Sequence, residues 1–142
     1  TKGVKLLLPL DSIAADSFSN EAKTITTTDA NVPEGYMGLD IGPETIKLFN
    51  KTILESKTIV WNGPMGVFEM SSFENGTKNI AMTVAEATRK GAFSLIGGGD
   101  SVAAINKYGL DDEVSFVSTG GGAMLELLEG KVLPGVAAIL HE

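Results

Sequence analysis

The sequence contains no cysteine and a single histidine in 142 residues, and Arg89 is its only arginine. Without cysteine there is no disulfide framework, no thiolate zinc site and no cysteine nucleophile, a pattern that fits a reducing compartment. The lone His141 stands one residue from the end with no visible partner, so it reads as an ordinary tail residue rather than a catalyst. Basic residues are also scarce: 11 Lys+Arg against 18 Asp+Glu give a net charge of -7. That balance argues against nucleic acid or an anionic membrane as partner. The longest apolar runs, such as Val4 to Leu8 and Val136 to Leu140, fall far short of the ~20 residues that span a bilayer. A soluble chain forming one domain over residues 1–142 is the expectation.

Glycine is what the chain has in quantity, 17 residues. Three stretches concentrate it: Asn62-Gly63-Pro64-Met65-Gly66-Val67-Phe68-Glu69, Gly97-Gly98-Gly99-Asp100-Ser101 and Ser118-Thr119-Gly120-Gly121-Gly122-Ala123. Each follows a short apolar run that reads as a buried strand, and the second and third lead directly into helical patterns. A strand that ends in glycines and opens a helix leaves main-chain N–H groups unshielded, with the positive end of the helix dipole behind them. Such loops suit phosphate, and a nucleotide is the simplest ligand they imply.

The runs Thr58–Trp61, Phe93–Ile96 and Val114–Val117 predict three strands. Helices are expected over about Glu74–Lys90, through Val102, Ala103 and Ile105, and over Ala123–Glu129, with Gly91, Gly109 and Gly130 as stops. Before this repeating unit, Val4–Leu10 reads as a first strand, Thr24–Thr28 as a short edge strand, and Pro43 as the start of a helix with Ile46, Phe49 and Ile53 on its apolar face. Val132–Glu142 fits a final strand or an extended tail. Alternating strands and helices predict an α/β fold, a parallel sheet flanked by helices in three layers, with all three glycine loops at the carboxyl edge of the sheet.

Neither a Gly-x-x-x-x-Gly-Lys-Ser/Thr loop nor a Gly-x-Gly-x-x-Gly turn after the first strand is present. The loops therefore have to be read one by one. Asp100 and Ser101 sit at the mouth of a helix, where they could cap it or hold magnesium on a nucleotide polyphosphate. Three consecutive glycines, Gly120, Gly121 and Gly122, exceed what a cap by Ser118 or Thr119 needs and suggest close approach of another group, such as a phosphoryl group in transfer. Met65, Val67 and Phe68 could wall a base or belong to the core, and Glu69 could accept from ribose hydroxyls or be a solvated loop charge. Trp61 reads as core. Asp11 and Asp16 could lie near the site, with a cap or a solvated loop as the simpler reading.

Together with Gly38-Leu39-Asp40-Ile41-Gly42-Pro43-Glu44 and Leu133-Pro134-Gly135-Val136, these motifs closely resemble, in order and spacing, the carboxyl-terminal part of phosphoglycerate kinases. The resemblance covers essentially the whole chain. It implies a Rossmann-like nucleotide-binding domain, present here as an incomplete half. It implies a cytoplasmic glycolytic kinase that moves a phosphoryl group between 1,3-bisphosphoglycerate and MgADP, giving 3-phosphoglycerate and MgATP. On the matching positions, Gly38, Leu39, Gly63, Met65 and Phe68 would border the adenine, Glu69 would hold the ribose, and Asn62 would lie along the phosphates. Gly98, Gly99, Asp100 and Ser101 would bind phosphate, with Asp100 on Mg2+, and Gly120, Gly121 and Gly122 would face the transferring group. Complete members also carry an amino-terminal domain with an arginine- and histidine-rich phosphoglycerate pocket, and a Gly-Ala-Lys-type phosphate loop. This sequence has neither. It also begins with Thr1 rather than methionine, so the expectation is a fragment that is inactive alone, marginally stable, and dependent on the missing amino-terminal part of the same protein. Two other readings stay open: a non-catalytic folding or complementation module, and an unrelated mononucleotide-binding protein.

Overall fold

The computed structural model describes residues 3–140, so His141 lies outside the described residues. Two three-stranded sheets form. The smaller is antiparallel in the order β2-β1-β3, from β1 (Ser12–Ala15), β2 (Thr24–Thr26) and β3 (Met37–Ile41). The larger is parallel in the order β4-β5-β6, from β4 (Thr58–Trp61), β5 (Phe93–Gly97) and β6 (Phe116–Ser118).

Helices α1 (Pro43–Glu55), α2 (Asn75–Arg89) and α3 (Gly99–Lys107) pack on one face of the parallel sheet. Strand alternation explains the choice of face: Ile59, Trp61 and Ile96 point inward and meet Ile46, Ile80, Val84, Ala104 and Ile105. The opposite row of Val60, Phe93 and Phe116 stays exposed. There α4 (Gly121–Leu128) leans over the sheet through Met124 and Leu127, beside a groove that Phe93 and Phe116 also line.

The sheet flanked by helices is as expected, and Thr24–Thr26 is an edge strand. Val4–Leu10 is not a strand. Val4, Leu6, Leu8 and Leu10 are exposed, and no neighbouring strand is there to pair the backbone. The end of the chain also departs from both expected forms: α5 (Pro134–Leu140) is a helix, opened by Pro134 with the Leu133 carbonyl accepting from Val136 and Ala137. β6 begins at Phe116, two residues later than expected, because Asp111–Glu113 form a 3-10 turn ahead of it.

Two buried aspartates start helices from a distance. Asp11 accepts from the N–H groups of Glu44 (3.0 Å) and Thr45 (2.8 Å) and from the Thr45 hydroxyl (2.6 Å), capping α1, which has no side-chain cap of its own. Burial pushes its carboxyl up, but these hydrogen bonds outweigh it and hold it below the ordinary aspartate value. Asp40 on β3 accepts from Gly76 N–H (2.7 Å) in the first turn of α2 and from Ile41 N–H (2.9 Å). Here burial dominates, and the carboxyl is pushed up to about 6.

The two groups make stability respond to pH in opposite directions. The Asp11 contribution is present above its unfolded value and is lost as acid protonates the folded group. The Asp40 contribution is full below the unfolded value of 3.8 and fades as pH climbs through about 6, for a total of about 3 kcal/mol at most. Asp40→Asn is therefore expected to flatten the decline in unfolding free energy between about pH 4 and 6 in urea titrations, and an unchanged slope would refute the assignment.

Gly121 packs so closely on the second glycine loop that a Cβ would lie 2.5 Å from both Cα and N of Gly98. Gly98 itself has φ +89°, which disfavours any side chain there. Gly121→Ala is expected to destabilise the fold by about 1–3 kcal/mol, read as a lower urea midpoint.

Candidate nucleotide site

The parallel register aligns Trp61 with Ile96 and Gly97 with Ser118, so the three strands end on one rim. All three glycine loops meet there. A Cβ on Gly98 would lie 2.3 Å from Asn62 Oδ1 of the first loop, and Gly121 of the third loop abuts Gly98 from the other side.

The glycines of this rim fall into two sorts. Gly97, Gly98 and Gly121 are closed in by Met124, Asn62 and Gly98 respectively. Gly99, Gly120 and Gly122 have nothing within 4 Å of a built Cβ. The chain's own packing gives no reason for the absence of a side chain at these three positions, whereas a ligand approaching the main chain would.

α3 and α4 begin at Gly99 and Gly121 behind glycine N-caps, and neither start has a side-chain cap. Their first-turn N–H groups and dipoles therefore face the rim without a side-chain acceptor. The capping roles open to Asp100, Ser118 and Thr119 are not taken. Asp100 is exposed in the first turn of α3. Ser101 is buried, and its Oγ accepts from Gly63 N–H at 2.6 Å.

The first loop behaves differently from the other two. Gly63 N–H donates to Ser101, Met65 and Gly66 N–H to Thr77 Oγ1 (3.0 and 3.2 Å), and Val67 N–H to the Leu39 carbonyl (2.8 Å). These amides are engaged within the protein, so this loop does not offer an anion the bare main chain that its glycines suggest. It serves instead as a wall. Met65, Gly66 and Val67 line a groove of about 340 Å³ together with Gly38 and Leu39, the two segments being joined where Val67 N–H meets the Leu39 carbonyl. Phe68 is 5% exposed and belongs to the core, so only its margin is open to a ligand. Glu69 is exposed at the end of the loop.

Thr77, Asp40 and Lys107 shape this site and escape a reading from sequence. Lys107 Nζ donates to the Phe68 carbonyl (2.6 Å) and to Glu74 Oε2 (2.7 Å), pinning the end of the first loop to α3. Beside it, burial, followed by the charges of Glu74, Asp40 and Glu69, pushes the Tyr108 hydroxyl up to about 12, so it stays protonated. The one available signal was Asp40, an aspartate set between Leu39 and Ile41 in a strand, where a charge is rarely buried without hydrogen-bond donors.

Among the described residues no three His, Asp or Glu side chains converge as a metal cage, and no helix is long and apolar enough to cross a membrane. A single carboxylate such as Asp100 fits Mg2+, which takes one or two protein carboxylates and fills its other positions with phosphate oxygens and water.

The profile of the phosphoglycerate kinase family matches residues 1–131. The chain is 61% identical over 138 residues to the phosphoglycerate kinase of Clostridioides difficile, covering 97% of this chain and 34% of that protein. With the enzyme of Porphyromonas gingivalis it shares 58% identity over 138 residues, covering 97% and 33%. The solved phosphoglycerate kinase of Coxiella burnetii superposes with a TM-score of 0.88 at 46% identity, over 96% of this chain and 34% of that one. The Pyrococcus horikoshii enzyme gives 0.74 at 35% identity, over 93% and 32%. The chain thus spans about a third of the length of the relatives it matches. By sequence and by fold, it belongs to the phosphoglycerate kinase family.

Proposed function

We propose that this chain supplies the nucleotide half of a phosphoglycerate kinase active site, for reversible phosphoryl transfer between 1,3-bisphosphoglycerate and MgADP. The observation that carries the reading is the convergence of two uncapped helix starts at Gly99 and Gly121 on one rim, with Gly99, Gly120 and Gly122 open to solvent.

In this reading the adenine lies in the groove between Gly38-Leu39 and Met65-Gly66, touching the margin of Phe68, with Gly63 at its end and Glu69 accepting from the ribose. Asn62 lies along the phosphates, and the first-turn amides from Gly98 to Ser101 hold them. Asp100 would hold Mg2+, which supplies charge neutralisation on the polyphosphate. The amides of Gly120, Gly121 and Gly122, backed by the α4 dipole, stabilise negative charge as it spreads over the equatorial oxygens of the moving group. No proton transfer by a side chain is needed.

In this reading phosphoglycerate, and a lysine on the nucleotide phosphates, are left to the remainder of a full-length kinase. The exposed row of Val60, Phe93 and Phe116 suits the same remainder as cover, since solvent contact costs about 25 cal/mol for each Å² of apolar surface. Phosphoryl transfer depends on holding both substrates in line, so this chain alone would bind nucleotide without turning it over. A cytoplasmic, glycolytic setting follows from the same reading.

Calorimetric titration with MgADP tests it: saturable heat is expected, and its absence at millimolar ligand would defeat the assignment. Asp100→Ala, at an exposed position, is expected to weaken MgADP at least about tenfold while leaving the unfolding midpoint in place. Gly122→Ala adds a methyl in open space, so the fold should hold while MgATP affinity drops by roughly tenfold. Equal affinity in both variants would exclude this rim as the phosphate site.

A further inference from the structure

The first loop carries the groove wall, yet it has no regular secondary structure from Asn62 to Phe68 that would hold it in shape. Two buried hydroxyls hold its first part, ahead of the Leu39 carbonyl that takes Val67 N–H and the Lys107 tie at Phe68. Thr77 and Ser101 each occupy the third position of a helix, α2 and α3 respectively, and they are 0% and 1% exposed. Each presents its oxygen to main-chain donors of the loop rather than to its own helix start. Ser101 takes one N–H, from Gly63, and Thr77 takes two, from Met65 and Gly66.

These two amides belong to residues that line the groove together with Gly38 and Leu39. A hydroxyl oxygen has two lone pairs, and both are accounted for by adjacent donors, which fixes the peptide plane between Met65 and Gly66 at the floor of the wall. The position of Gly66 is tight for another reason: a Cβ there would lie 2.3 Å from Asp40 Oδ1 and 2.7 Å from the Leu39 carbonyl. Rotating that peptide away from Thr77 would drive the loop against Asp40 or open the groove. Part-buried amides left without an acceptor carry a desolvation penalty, so a side chain of equal shape without the oxygen would not hold the loop in place.

We propose that Thr77 is a positioning residue for nucleotide recognition: its buried hydroxyl, by accepting both the Met65 and the Gly66 N–H, sets the width of the groove that receives the base. This rests on the nucleotide reading given above. The hydrogen bonds of Thr77 go to Met65 and Gly66, whereas on the phosphate rim Gly98 is packed against Asn62 and Gly121 against Gly98. Its effect is therefore confined to the nucleoside end of the ligand, and phosphate binding is independent of it.

The experiment compares adenosine, MgADP and magnesium pyrophosphate binding by calorimetry in the unaltered chain, Thr77→Val and Thr77→Ser, with hydrogen exchange of the Met65 and Gly66 amides followed by NMR. Thr77→Val is expected to lose protection at those two amides and at least tenfold in adenosine and MgADP affinity, with pyrophosphate unchanged. Thr77→Ser restores both. Where Thr77→Val does not fold, Thr77→Ala carries the same expectations. Equal affinity for adenosine and MgADP in a folded Thr77→Val or Thr77→Ala chain overturns the inference, as does a loss shared equally by pyrophosphate or not restored by Thr77→Ser. If the unaltered chain binds pyrophosphate and not adenosine or MgADP, the nucleotide reading fails, a result distinct from the others.

Discussion

Buried side-chain oxygens accept the main-chain N–H groups that the loops and helix starts of this fold leave unpaired, and the rest of the rim depends on that pairing. Asp11 serves α1, Asp40 serves α2, and Thr77 and Ser101 serve the loop after β4. Each buried donor would otherwise cost about 1–3 kcal/mol. The acceptors and donors lie 33 to 38 residues apart in the Asp11, Gly76–Asp40 and Ser101 pairs. These ties therefore join separate elements: the amino-terminal segment to α1, the small antiparallel sheet to α2, and α3 to the first glycine loop.

This pairing divides labour among loops that look alike. Where side-chain oxygens saturate the amides, as in the first loop, glycine and apolar residues form a rigid wall beside a groove. Where helix starts have no cap, as at Gly99 and Gly121, amides and dipoles remain for a ligand. A polyphosphate and a flat base make opposite demands on a protein surface, the first for unshielded N–H groups and the second for fixed apolar area. The rim offers the two side by side.

Burial also decides how the two structural aspartates respond to protons. Asp11 gains three donors and stays acidic, while Asp40 gains two and is raised. Burial raises both carboxyls; at Asp11 the hydrogen bonds outweigh it, and at Asp40 the burial cost prevails over two donors. Asp40 also lies under Gly66 and Gly76, which leaves it no room to move toward water.

The α/β alternation, the strands at Thr58–Trp61 and Phe93–Ile96, and the helices after them were legible in the sequence because local period and glycine stops fix them. The gathering of three glycine loops on one rim also followed, since parallel strands joined by helices bring their carboxyl ends together. Val4–Leu10 misled because an apolar run specifies a strand only where a partner strand exists, and pairing is a non-local property. β1 and β3 went unread because Ser12–Ala15 and Met37–Ile41 are short and gain their stability from each other. Which glycines are closed by packing, which amides are already taken, and that Thr77 rather than a loop residue holds the groove wall were decided by tertiary structure alone. A hydrogen bond across many residues leaves no periodic trace in the chain, and only the folded backbone brings donor and acceptor within reach.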